Sequence, residues 1–117
     1  MSETKQIHPD RMQAYFDGFS KRFLQRDATA TADVEVLGMD IGDQIEEEGE
    51  RLIGISYEPR TRALELDLES VGIRAYRPKE VWAIEEDDGF IRALEIVRDD
   101  DTKEIVRVRR QTIRRAD

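Results

Sequence analysis

The chain has 117 residues, no Cys, and 27 acidic against 19 basic side chains, for a net charge of −8. The missing Cys excludes disulfide frameworks, thiolate zinc sites, iron–sulfur clusters and cysteine nucleophiles together. The acidic balance opposes binding of a phosphate backbone to the molecule as a whole, and no apolar run approaches the ~18–20 residues that span a bilayer.

Residues 1–7 carry neither the basic nor the apolar region of a secretory signal and read as a flexible lead into a cytoplasmic protein. Residues 8–26 read as one amphipathic helix, because Met12, Tyr15, Phe16, Phe19 and Phe23 recur at steps of three and four. Pro9 suits the first turn, and Asp10 sits where the helix dipole favours negative charge. Asp27–Ala32 shows no apolar period and reads as a linker. From Asp33 the period becomes two. Val34 and Val36 are even and Leu37, Met39, Ile41 and Ile45 odd, so a β-bulge is expected near Val36–Gly38. Residues 46–50 are expected as a turn or loop, with a short helix over 43–48 as the competing reading.

Two hairpins follow. Ile53, Ile55 and Tyr57 match Leu68, Leu66 and Leu64 across a four-residue loop, Pro59–Arg62, of the kind built on a type I turn. Residues 70–79 read as irregular. Val81–Glu85 is a strand, and Asp88-Gly89 is a turn signal. In the second hairpin, Leu94 is set against Val108, Ile96 against Val106 and Glu95 against Arg107, with Asp100–Thr102 as the loop. The expected fold is therefore α+β: one N-terminal helix packed on a twisted antiparallel sheet of five to six strands, a meander over residues 33–110, in a single domain. A basic tail, 111–117, follows.

Candidate chemistry is sparse. His8, the only imidazole, cannot build a triad or a metal site by itself. Asp99–Asp101 and Glu85–Asp88 offer oxygen ligands, but Glu104 and Arg110 stand where a calcium loop from Asp99 needs Gly and Glu. No metal and no cofactor is assigned, since the glycines form no phosphate-binding pattern. Asp40, Asp43 and Glu46 form a candidate acidic site for acid–base or cation chemistry. Residues 107–117 hold five arginines, Arg107, Arg109, Arg110, Arg114 and Arg115, against one acid. This cluster is a candidate interaction surface, for the chain's own acids, for a protein or for nucleic acid. No aromatic residue interleaves with it to stack a base. Trp82 is either a core residue or an interface anchor.

Gly42-Asp43-Gln44-Ile45-Glu46, Gly54-Ile55-Ser56-Tyr57-Glu58-Pro59 and Leu64-Glu65-Leu66 resemble the pattern of a bacterial family of small acidic proteins of unknown function. Tyr15-Phe16-Asp17, Pro78–Val81 and Leu94-Glu95-Ile96 extend that resemblance over nearly the whole chain. It implies a bacterial origin and a compact fold, and it transfers no catalytic residue. The expected function is that of a non-catalytic accessory or protein-interaction module, self-associating through a sheet edge or the Arg-rich end. A small-molecule or metal-binding protein and a nucleic-acid-associated protein are the alternatives.

Overall fold

The computed structural model describes residues 2–25, 29–38 and 42–111. Helix α1 spans Pro9–Phe23. It buries Met12, Phe16 and Phe19, with Tyr15 and Phe23 packed beside them, so the aromatic stripe is the core face. The helix stops short of residue 26: Leu24 leaves helical geometry at φ −116° while its N–H still reaches the Ser20 carbonyl.

One antiparallel sheet wraps this helix. Its strands are β1 (Glu3–Gln6), β2 (Thr29–Gly38), β3 (Gly42–Glu58), β4 (Ala63–Leu68), β5 (Gly72–Tyr76), β6 (Glu80–Glu85), β7 (Ile91–Val97) and β8 (Lys103–Gln111). Their spatial order is β1-β6-β7-β8-β2-β3-β4-β5, eight strands rather than five or six. The sheet is not one meander. β2 to β5 form one and β6 to β8 another, and β8 joins them by pairing with β2.

The extra strands lie where the sequence is weakly patterned. β1 falls inside the segment expected to be flexible and pairs Glu3–Gln6 with Glu85–Trp82. β2 begins inside the expected linker. Ala30 and Ala32 alternate inward at 1 % exposure, a period of two written in residues too small to signal it. β5 occupies the expected irregular stretch and buries Ile73 and Ala75, with Pro78 lying beyond its end.

β3 holds the curved sheet together. Its first half pairs with β2 and its second half with β4. Past Arg51 the β2 side carries no strand, so backbone groups there need another partner. Ser20 of α1 supplies one: its hydroxyl donates to the Ile55 carbonyl at 2.8 Å and accepts from the Ile55 N–H at 3.0 Å. Residues 46–50, expected as a loop, continue β3 instead. The bulge expected near Val36–Gly38 is displaced: the ladder shifts between Ala32 and Glu35. Gly49 takes φ 67° there and donates its N–H to Asp33 at 2.7 Å.

In the β3–β4 hairpin, Tyr57 faces Leu64 and Ile55 faces Leu66 as expected, but Leu52 replaces Ile53 opposite Leu68. The ladder slips at Ile53, which is 46 % exposed. In the β7–β8 hairpin the register is two residues from the expected one: Leu94 faces Val106, Glu95 faces Ile105 and Ile96 faces Glu104. The turn is set one residue earlier. Arg98 donates its N–H to the Thr102 carbonyl, and Asp101 takes the left-handed position at φ 66°, the arrangement of a three-residue hairpin loop. A slip of two leaves every side chain on its face, so alternation alone could not detect it. Glu104 shares the core face with Val106 and Val108 in either register, and the observed one sets it opposite Ile96, fully buried.

Candidate functional site

The ends of α1 define two regions of opposite character. At its C-terminal end the β6–β7 turn is clamped from both sides. Arg110 of β8 grips Asp88 with one Nη atom, 2.7 and 2.6 Å from the two carboxylate oxygens. Its guanidinium also lies 4.1 Å above the Phe90 ring. Arg22 of α1 donates to the Asp88 carbonyl at 2.8 Å. Gly89, at φ 90°, turns the chain beneath Arg22, and a Cβ there would stand 3.2 Å from its Nη1. Phe19, Phe23 and Phe90 pack ring to ring under these charges. Arg110, expected as an interaction residue, is thus a structural clasp. Arg110 lowers the pKa of Asp88 through their hydrogen bond.

On the outer face of the sheet, away from α1, Arg107 pairs with Glu35 at 3.0 Å and Arg109 with Asp33 at 3.2 Å. The β6–β8 registers place Trp82, Ile84, Ala93 and Ile105 on that face, all partly exposed. Trp82 is therefore outside the core; its ring N–H donates to Glu80 at 3.0 Å. A groove of about 620 Å³ runs from that face, at Ile84, Ala93 and Arg107, to the clasp at Phe90 and Arg110.

At the N-terminal end of α1 a second region collects basic residues that sequence patterning did not single out. Arg60 and Arg62 come from the β3–β4 loop, and Arg77 from the link between β5 and β6. With Thr61, Tyr76 and Asp99 they line a cavity of about 770 Å³. Arg62, Arg77 and Asp99 also line its neighbour of about 460 Å³, which reaches Pro9 at the start of α1. Arg62 and Arg77 both have left-handed backbone, at φ 55° and 48°. The Arg77 N–H donates to the Arg62 carbonyl at 2.7 Å and locks the two turns together. A signal for this region exists in the sequence, Pro-Arg-Thr-Arg and Arg-Pro-Lys, but β4 and β5 lie between them and hide their adjacency.

The candidate acidic site is not assembled by any described contact. Asp40 lies outside the described residues, as do Arg114 and Arg115. Asp43 is placed by its backbone opposite Leu37, and Glu46 falls at a shift in the ladder. Among the described residues no group of three or more His, Cys, Asp or Glu side chains could hold a metal ion. One half-buried acid and one buried acid do have assigned partners. Glu85 takes a hydrogen bond from Tyr15 and an ion pair from Lys5 at 3.0 Å. Burial first, and then Glu85, push the Tyr15 hydroxyl far above its ordinary value, so it stays protonated. Glu104 is ion-paired with Arg98, but its carboxylate oxygens find no hydrogen-bond partner among the described residues.

These features belong to a small α+β protein that pairs several of its charges across its own sheet. The chain belongs to the DUF5335 family, a family of unknown function, matched over residues 3–115. A relative from Aquifex aeolicus (strain VF5), an uncharacterized protein, is 35 % identical over 107 residues, which are 91 % of this chain and 92 % of the relative. No solved structure matches the chain. No described helix is long and apolar enough to cross a membrane.

Proposed function

We propose that this protein is a non-catalytic, cytoplasmic interaction module that pairs with a second copy of itself through the outer face of β6, β7 and β8. The observation that carries the reading is the partly exposed strip of Trp82, Ile84, Ala93 and Ile105 on the face that α1 leaves uncovered. Apolar strips rimmed by charge mark contact surfaces, and Trp is favoured as their anchor. Neighbouring side chains alternate in sign: Glu95 and Glu35 flank Ile105, with Lys103 and Arg107 two residues away along β8 on either side. Such a face can meet itself about a two-fold axis with bases opposite acids. Arg107, Arg109 and Arg110 each already hold a carboxylate, which favours a protein partner over nucleic acid. The Cys-free sequence suits a reducing cytoplasm.

Light scattering at low and high salt tests this. The expected result is a dimer that Ile84→Glu converts to a monomer with an unchanged circular dichroism spectrum. Emission from Trp82, the single tryptophan, should shift to the blue with rising concentration in the parent chain only. A monomer at both salts, with concentration-independent emission, overturns the reading.

A further inference from the structure

We propose a binding site for a small phosphate-bearing anion in the cleft at the N-terminal end of α1, built by Arg60, Arg62 and Arg77. This goes beyond the dimer reading and uses none of its residues.

Three observations converge on it. First, these arginines line two adjoining cavities that share Arg62, Arg77 and Asp99, yet none of the three makes an ion pair among the described residues. Elsewhere Arg74, Arg98, Arg107, Arg109 and Arg110 each hold a carboxylate. In a chain of net charge −8, three arginines gathered at one cleft without an ion-pair partner make a local basic surface. Asp99 is the one acid lining the cleft. The nearby Lys79 ammonium is held by Asp101 at 3.0 Å, so it does not add to the charge facing the cleft.

Second, Arg62 and Arg77 occupy left-handed backbone, which costs a residue with a Cβ and which glycine adopts freely. The Gly89 turn at the other end of the helix has glycine at that position. Strain at a cleft, held in place by the Arg77 N–H to Arg62 carbonyl bond, is the pattern of a site that keeps a side chain for what it binds. Third, the cleft meets the first turn of α1 at Pro9, where the helix dipole adds positive potential. Guanidinium forks match the oxygens of a phosphate. Tyr76, 57 % exposed at the rim, offers a flat surface to an organic substituent.

Titration calorimetry and amide chemical shifts, at ionic strength fixed with sodium chloride, compare inorganic phosphate with phenyl phosphate. Saturable binding is expected for both. Tighter binding of phenyl phosphate assigns the site to an organic phosphate ester, and equal binding assigns it to free phosphate. The double variant Arg62→Gly with Arg77→Gly removes both guanidiniums and relieves the left-handed strain. It should fold with an unchanged or higher melting temperature and bind either probe at least tenfold more weakly. Absence of saturable binding in the parent chain, or equal binding by the double variant, overturns the proposal. Neither result bears on the dimer, which light scattering reads separately.

Discussion

The two ends of the helix solve the same problem with opposite residues. At the C-terminal end, left-handed backbone is given to Gly89 and the arginines are consumed: Arg110 is closed on Asp88 and Phe90, and Arg22 on the turn carbonyl. At the N-terminal end, left-handed backbone falls to Arg62, Arg77 and Asp101, and Arg60, Arg62 and Arg77 line a cleft whose one acid is Asp99. One end is arranged for stability. The other tolerates local strain and leaves charge uncompensated, which a fold under no other demand would have removed by substituting glycine and acid.

The largest effect expected from breaking this comparison comes from Arg98, which is ion-paired with the buried Glu104. Arg98→Ala strands the Glu104 carboxylate in the core and should cost about 2–4 kcal/mol in urea denaturation. Adding Glu104→Leu to that variant should recover most of the loss, because an apolar side chain facing Ile96 needs no partner. If Arg98→Ala costs nothing, the ion pair is not what holds that hairpin.

Exchanging the two solutions gives the next largest effects. Gly89→Ala forces a Cβ into φ 90° and 3.2 Å from the Arg22 guanidinium, and should destabilise by about 1–2 kcal/mol. The mirror exchange, Arg62→Gly alone, should gain less than about 1 kcal/mol, since relief of the left-handed penalty is partly offset by glycine's larger unfolded-state entropy. Thermal melts of both variants at one pH make the test, and equal signs would erase the contrast between the ends.

The smallest effect is a matter of pH. Arg110 holds the Asp88 carboxyl below its ordinary range. A folded-state value below the unfolded one means that the carboxylate adds stability above the unfolded value. That contribution drains away as pH falls through the lowered folded value. Arg110→Ala should therefore flatten the acid limb of the stability profile between about pH 5 and 2. A profile parallel to that of the parent chain would show that the clasp works through its ring contacts alone.

Much of this molecule is legible in its residues, and the failures have identifiable causes. The helix stripe and the β3–β4 pairing were readable because large apolar side chains at fixed spacing leave few alternatives. β1 and β5 were not readable: Glu3–Gln6 is polar throughout, and Gly72–Tyr76 offers only Ile73 and Ala75 to the core. Both are edge strands, where one side of the ladder and much of the surface face solvent, so composition there is weakly constrained. Among the candidate site residues, Arg107, Arg109 and Arg110 were found as a cluster but not as the partners of Glu35, Asp33 and Asp88. The basic cleft was missed because it joins two loops far apart in sequence.

From the sequence alone followed an α+β fold with one helix buried by its aromatic face, antiparallel pairing in the latter half, and the Asp88-Gly89 turn. Each is a consequence of local spacing and backbone freedom. Only the tertiary structure decided the strand order, the two-residue slip that sets Glu104 opposite Ile96, the outward placing of Trp82 and the meeting of Arg62 with Arg77. Period-two patterning fixes which face a side chain takes but not which strand lies beside it or at what even offset; those choices rest on turn geometry and on how far the sheet must curl to enclose the helix.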